Sequence, residues 1–174
     1  MSDEIKTNNN SEGYNLAVIG ATGNVGRELL EILHERNFPI KSLVALASEK
    51  SVGMKLPFGE GDDLEVKNLS DFNFTGTDIV LSSPGSEISK RYSPIAAEAG
   101  AVVIDNTSQF RMDPDVPLVV PEVNANDLSH YKRKGIVANP NCSTIQMVVA
   151  LKPLHDNFKI KRVIVSTYQS TSGA

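Results

Sequence analysis

The sequence predicts an α/β fold, a doubly wound and mostly parallel sheet, on three observations. Runs of apolar and β-branched residues alternate with segments of helical periodicity, the order that builds βαβ units. The first run, Leu16-Ala17-Val18-Ile19, turns through Gly20, Gly23 and Gly26 into a helical pattern over residues 27–36. Small and polar residues gather after the predicted strands, at the edge where open parallel sheets bind ligands.

Residues 15–19 suit a buried parallel strand. In the helix that follows, Leu29, Leu30 and Leu33 recur at helical spacing, with Glu28, Glu31, His34 and Glu35 on the other faces. Strand, glycine turn and helix form the context in which a glycine motif carries weight. One glycine permits the tight turn, another lets backbone approach a pyrophosphate, and a third allows close helix-on-strand packing. N–H groups at the helix start then face the anion. The spacing is G-x-x-G-x-x-G rather than the commoner G-x-G-x-x-G, and a glycine turn that binds nothing is the alternative. Dinucleotide binding is favoured, which makes this a Rossmann-like NAD(P)-binding domain with Gly20, Gly23 and Gly26 in its phosphate turn.

A second buried strand, residues 42–47, leads into Ser48-Glu49-Lys50-Ser51-Val52-Gly53. An NAD site places Asp or Glu at this strand's end to accept from the ribose 2′-hydroxyl. Here Ser48, Lys50 and Ser51 suit a 2′-phosphate, which takes hydrogen bonds and a countercharge. Glu49 opposes this, and a solvated loop is the alternative. NADP is therefore the expected cofactor. Residues 53–68 read as a small hairpin on one edge of the sheet.

Residues 78–81 form another strand, running into Ser82-Ser83-Pro84-Gly85-Ser86, where Ser83 and Gly85 are placed to touch the cofactor. The next helix carries Pro94 as the first residue of a turn capped by Ser93 and ends at Gly100. Residues 101–105 are a strand, followed by the polar loop Asp105-Asn106-Thr107-Ser108-Gln109-Phe110-Arg111. Arg111 is a candidate anion clamp, since its fork matches phosphate and carboxylate; a surface arginine pairing with Asp113 or Asp115 is the alternative. Residues 116–120 are extended, and Asn126 or Asn124 can cap a short helix through Tyr131. Residues 136–138 are a short strand.

Asn139-Pro140-Asn141-Cys142-Ser143-Thr144 precedes a helical pattern through Ile145, Val148, Val149 and Leu151. This sets Cys142 at or near a helix start, where unpaired N–H groups and the helix dipole favour a thiolate. A cysteine of unknown placement can equally be inert core, but at this polar turn a nucleophile is favoured. Pro153 kinks or ends the helix. Residues 161–167 are read as a last strand.

Composition bounds the rest. The 174 residues are roughly one domain, and hydrophobic and charged contents of 40% and 22% are ordinary for a globular protein. A net charge of −4 gives no reason to expect nucleic acid or an anionic membrane as partner. No apolar run has transmembrane length, and the N-terminus lacks the pattern of a signal peptide. One cysteine fits a reducing cytoplasm, and alone it is neither a zinc site nor a redox pair. Residues 1–13 read as a disordered polar tail, leaving 14–174 as the domain that carries the cysteine.

Several consecutive motifs resemble aspartate-semialdehyde dehydrogenase. They are Gly20-Ala21-Thr22-Gly23-Asn24-Val25-Gly26, the 46–53 stretch, Val103 to Arg111, Val119-Val120-Pro121-Glu122-Val123-Asn124, and Asn139 to Thr144. The resemblance runs from about Tyr14 to Ala174 and covers the amino-terminal half or so of such an enzyme. It implies NADP-dependent interconversion of L-4-aspartyl phosphate with L-aspartate 4-semialdehyde and phosphate, on the route to lysine, threonine and methionine. It further implies that Cys142 carries an aspartyl thioester, Arg111 holds the substrate phosphate, Asn141 helps position substrate or oxyanion, Gln169 orients the intermediate, and Gly20, Thr22, Gly23, Asn24 and Val25 surround the cofactor pyrophosphate. Ser83-Pro84-Gly85-Ser86 departs from the Ser-Ala-Gly-Gly common in bacterial members.

The resemblance implies a second domain that supplies an acid/base histidine, groups for the substrate's carboxylate and amine, and the homodimer interface, and these 174 residues are expected not to include it. His34, His130 and His155 do not read as substitutes. The family's final helix, which packs back on this domain, is also absent, so an exposed apolar patch is expected. Two other readings remain. One is N-acetyl-gamma-glutamyl-phosphate reductase, which shares the glycine turn and catalytic cysteine. The other is a nucleotide-binding fragment without catalysis.

Overall fold

The computed structural model describes residues 13–59 and 62–168. Residues 1–12 of the predicted tail and Gln169 therefore lie outside the described residues, whereas Gly13 is packed on the chain, where a Cβ would lie 2.6 Å from the Lys41 backbone nitrogen. Seven strands form one sheet in the order β3-β4-β2-β1-β5-β6-β7. They are β1 (Tyr14–Ile19), β2 (Ile40–Ala47), β3 (Lys55–Phe58), β4 (Asp62–Asn68), β5 (Ile79–Ser82), β6 (Val102–Asp105) and β7 (Ile136–Ala138). All are parallel to their neighbours except β3, which pairs antiparallel with β4 at the edge. The hairpin read from residues 53–68 is thus present, joined to the sheet through β4 on β2.

Among the described residues there are four α-helices: α1 (Asn24–Glu35), α2 (Ser86–Glu98), α3 (Pro121–Asn124) and α4 (Cys142–Phe158). The two faces of the sheet divide by strand alternation. Leu16 and Val18 point to one face with Leu30, Leu33, Leu43, Ala45 and Val66, under α1 and the hairpin. Ala17 and Ile19 point to the other, with Val44, Leu46, Val80, Ala96 and Val103, under α2. Central strands buried on both faces read as continuous apolar runs, which is why β1 and β2 were legible.

The chain winds from β1 outward to β2 and then crosses back to β5 on the other side of β1. The carboxyl ends of β1 and β5 thus flank the point where the winding reverses, where ligands bind in such sheets.

Several expectations are corrected. Residues 161–168 form no regular secondary structure. Val163, Ile164 and Val165 have high strand propensity, but they are 48%, 88% and 56% exposed, and without a paired edge propensity makes no strand. The helix does not end at Pro153 but continues to Phe158, closed by Lys159 in the left-handed region at φ 56°. Pro94 lies inside α2 rather than opening a new turn. Ser93 does not cap there, because its hydroxyl is turned inward to Asp105. The short helix expected through Tyr131 is a 3₁₀ segment, Ala125–Arg133, with Asn124 at its N-cap position but without a side-chain cap bond. Asn124 instead accepts from the Val120 N–H and donates to the Leu118 carbonyl, pinning the extended 118–120 segment, which forms a bridge with Ala138.

On the α1 side of the sheet, β5, β6 and β7 are left without a covering helix among the described residues. Ile79, Val102, Ile104 and Val137 floor an apolar groove of about 500 Å³ there, walled by Val119, Leu128 and Tyr131. This is an exposed apolar patch of the kind expected.

Candidate active site

The phosphate turn is built from three glycines with three different physical roles. Gly20 sits at φ +79°, and a Cβ on it would lie 2.7 Å from the Ser83 carbonyl oxygen. Gly26 faces back onto the turn, where a Cβ would meet the Gly20 oxygen at a distance no side chain could occupy. Gly23 differs: the nearest atom to its Cβ is the Gly20 oxygen at 3.4 Å, an ordinary contact. The fold therefore demands Gly20 and Gly26 for turning and packing. Gly23 opens α1 as its N-cap and leaves space above the helix start.

That space is a groove of about 470 Å³. Its floor is Ile19 with Gly20, Thr22 and Gly23; its sides are Ala47 at the end of β2 with Ser48 and Glu49 beyond it, and Ser83 and Pro84 after β5. Of the residues read from the sequence, Gly20, Thr22, Gly23, Ser48 and Ser83 line it, whereas Asn24, Val25, Lys50, Ser51 and Gly85 lie outside its lining. Asn24 and Val25 open α1 behind the turn. Lys50 and Ser51 occupy a short 3₁₀ turn, Glu49–Ser51, beside the groove. Gly85 is the N-cap of α2 at φ +96°.

Five lining residues were missed. Asn68, Leu69 and Ser70 form the wall beyond β4, and Ile88 and Tyr92 of α2 close the other side. The Asn68 side chain accepts from the Ser70 N–H, an Asx turn at a strand end that the motif Asn-Leu-Ser-Asp signals once the strand is located.

The second half of the site lies at the ends of β6 and β7. Cys142 is the first residue of the 17-residue α4 and is exposed. Asn141 is the N-cap: its Oδ1 accepts from the Ser143 N–H at 3.1 Å and the Ser143 hydroxyl at 2.6 Å, and lies 4.0 Å from the Cys142 sulfur. The inert-core alternative for Cys142 is not what the fold shows.

Arg111 is half-buried and aimed at the same turn. Its Nε donates to the Asn139 carbonyl at 2.9 Å and its Nη2 to the Asn106 carbonyl at 3.1 Å. Asn139 Nδ2 donates to Asn106 Oδ1 at 2.5 Å, closing the loop between the strand ends. These bonds use two of the five guanidinium N–H groups, so the fork is fixed while donors remain for an anion. The surface-pair alternative is not observed. Asp113 pairs with Lys134 at 2.7 Å, which holds its carboxyl below the usual carboxylate range, and Asp115 lies 3.8 Å from Arg133.

The three histidines stand apart from this turn. His34 packs edge-on against Phe58 with ring centroids 5.7 Å apart. His130 lies in the 3₁₀ segment 125–133 and His155 near the end of α4. Among the described residues no group of His, Cys, Asp or Glu could hold a metal, and no helix is long and apolar enough to cross a membrane.

The family described as "Semialdehyde dehydrogenase, NAD binding domain" matches residues 15–131. The aspartate-semialdehyde dehydrogenase of Aquifex aeolicus is 60% identical over 163 residues, covering 93% of this chain and 48% of its own. Aspartate-semialdehyde dehydrogenase 2 of Vibrio cholerae is 53% identical, again across 94% of this chain and 48% of its own. The chain thus spans about half the length of the curated relatives it matches. Among solved structures, aspartate semialdehyde dehydrogenase II from Vibrio cholerae superposes with a TM-score of 0.84 at 51% identity, over 86% of this chain and 44% of that one. The Candida albicans enzyme, solved with NADP, gives 0.72 at 28% identity, over 85% and 48%. A glycine turn at the sheet's switch point, a matching fold and a family match over most of the described residues agree: this chain belongs to the semialdehyde dehydrogenase family, as its NAD-binding domain.

Proposed function

We propose that this chain is the cofactor- and nucleophile-bearing half of an NADP-dependent aspartate-semialdehyde dehydrogenase. The reaction is interconversion of L-4-aspartyl phosphate with L-aspartate 4-semialdehyde and phosphate, feeding lysine, threonine and methionine synthesis. The observation that carries this reading is the placement of Cys142. It is exposed at the capped start of α4, three residues after the Asn139 carbonyl that holds Arg111.

The groove fits a dinucleotide because Gly23 leaves room above the helix start where a phosphate binds. Ser48 on its wall, with Lys50 beside it, supports NADP over NAD. A dinucleotide held there would supply the hydride for reducing a Cys142 thioester to the aldehyde, the carbon–sulfur bond breaking and the electron pair returning to the Cys142 thiolate.

Every other step belongs to the chain. The Cys142 thiolate attacks the acyl carbon, a sulfur–carbon bond forms, and the carbon–oxygen bond to phosphate breaks. The leaving phosphate takes the electron pair, and the remaining N–H groups of Arg111 offset its charge. Asn141 acts through the cap: by accepting from Ser143 it fixes the first turn, so the amides beside the sulfur are presented in one orientation. Gln169 follows in sequence and is assigned to orienting the covalent intermediate. Groups for the substrate's amine and carboxylate, an acid/base histidine and a homodimer interface are assigned to the other half of the full-length enzyme.

Nucleotide choice is tested by fluorescence titration with NADPH and NADH. Tighter NADPH binding that Lys50→Glu reverses supports this reading. Equal affinities, or a preference unmoved by the substitution, contradict NADP selection by this loop.

A further inference from the structure

Asp105, at the carboxyl end of β6, is fully buried and was singled out by neither the motif nor the mechanism. Its carboxyl group is surrounded by donors from two elements. Oδ2 accepts from the hydroxyls of Ser89 and Ser93 on α2, the latter at 3.0 Å. Oδ1 accepts from the Thr107 N–H at 2.7 Å and the Thr107 hydroxyl at 2.6 Å. The Thr107 hydroxyl in turn accepts from the Gln109 N–H at 3.2 Å. The Asp105 backbone takes part as well, its carbonyl accepting from the Asn139 N–H at 2.7 Å.

Burying a carboxyl group is costly unless it is well hydrogen-bonded, so a network of this kind is retained for what it fixes. One side of it is α2, which supplies Ile88 and Tyr92 to the cofactor groove. Its other side is the 106–111 loop, whose Asn106 carbonyl holds Arg111. Asn139, bonded to Asp105, is the second residue that holds Arg111, and it lies three positions before Cys142.

We propose that Asp105 is a positioning residue, locking the Arg111 loop and the approach to Cys142 onto the helix that walls the cofactor groove. This rests on the reading of Arg111 as the phosphate-binding group, and the test separates the two.

Thr107→Val keeps the side-chain shape but removes the hydroxyl bond to Asp105, and Thr107→Ser restores it. Two readouts are taken on this chain. One is the hydrogen exchange rate of the Arg111 Nε–H by NMR. The other is protection of Cys142 from iodoacetamide by inorganic phosphate. Thr107→Val is expected to speed the exchange and to weaken phosphate protection about tenfold, the scale of one lost hydrogen bond to a charged group. Thr107→Ser is expected to return both toward wild type, and NADP+ affinity is expected to stay unchanged in both variants. If Arg111 exchange is the same in Thr107→Val as in wild type, or if Thr107→Ser fails to rescue it, the positioning role is overturned. If wild type shows no phosphate protection while exchange still responds as expected, the positioning role stands and the phosphate reading of Arg111 falls.

Discussion

A glycine motif holds residues of unequal kind, and the three glycines of this turn separate what the fold needs from what a ligand needs. A methyl group at Gly26 would press into the Gly20 oxygen and lie 2.7 Å from the Ala21 Cα, both backbone atoms that cannot yield. Gly26→Ala is expected to cost about 3 kcal/mol, the upper range for overpacking, measured by denaturant unfolding. At Gly23 the same methyl meets only ordinary contact, so Gly23→Ala is expected to cost no more than about 1 kcal/mol through weaker capping. It is nevertheless expected to weaken NADPH binding strongly, because the methyl fills the phosphate approach. A titration that finds binding intact in Gly23→Ala would remove the pyrophosphate from this turn. Asn141 is a second such case. Asn141→Ala removes the cap, with an expected loss of about 1 kcal/mol and slower alkylation of Cys142, whereas Asn141→Asp keeps the acceptor and is expected to retain stability.

At the scale of elements, what could be read from sequence was what periodicity and turn chemistry encode locally. β1 and β2 are buried on both faces, so continuous apolar runs declared them, and β7 was placed at Ile136–Ala138 as observed. The start of α4 was legible because Asn141 is a good cap and the apolar period follows it. Residues 161–167 were not, because a β-branched run specifies a strand only when an edge accepts it. Asp105 and its serines were missed for a related reason: Ser89 and Ser93 are one helical turn apart, ordinary in a polar helix, and only the packing of α2 on β6 brings both to one carboxyl group. Arg111 is ambiguous in sequence because Lys134, which occupies Asp113, lies 21 positions from it. That pair also carries a pH dependence. Lys134 lowers the Asp113 carboxyl, so its contribution is present above the ordinary carboxylate range and is lost as pH falls through the lowered value. Lys134 is exposed and Asp113 only half-buried, so the effect is small: Asp113→Asn is expected to lower Tm slightly at neutral pH, with the difference shrinking as pH falls below the ordinary carboxylate range. An Asp113→Asn difference that grows toward acid would contradict this sign.

At the scale of the molecule, one sheet edge gathers everything the chemistry requires of this domain. The cofactor groove lies between the ends of β1, β2 and β5, and the Arg111–Asn139–Cys142 turn between the ends of β6 and β7, with α2 packed behind both. The chain is about half the length of its curated relatives, and apolar surface over β5, β6 and β7 stands open. The arrangement agrees with the proposed reading of this chain as a nucleotide-binding domain that carries the nucleophile. On the proposed reading, Cys142 is the group through which substrate and cofactor meet. The most direct measurement follows nicotinamide absorbance as the full-length polypeptide containing this chain meets NADP+, phosphate and either aspartate semialdehyde or N-acetylglutamate semialdehyde, with Cys142→Ser alongside. Reduction of NADP+ with aspartate semialdehyde alone, abolished in Cys142→Ser, is the predicted result. Turnover that survives Cys142→Ser, or that prefers the acetylated aldehyde, would contradict the account.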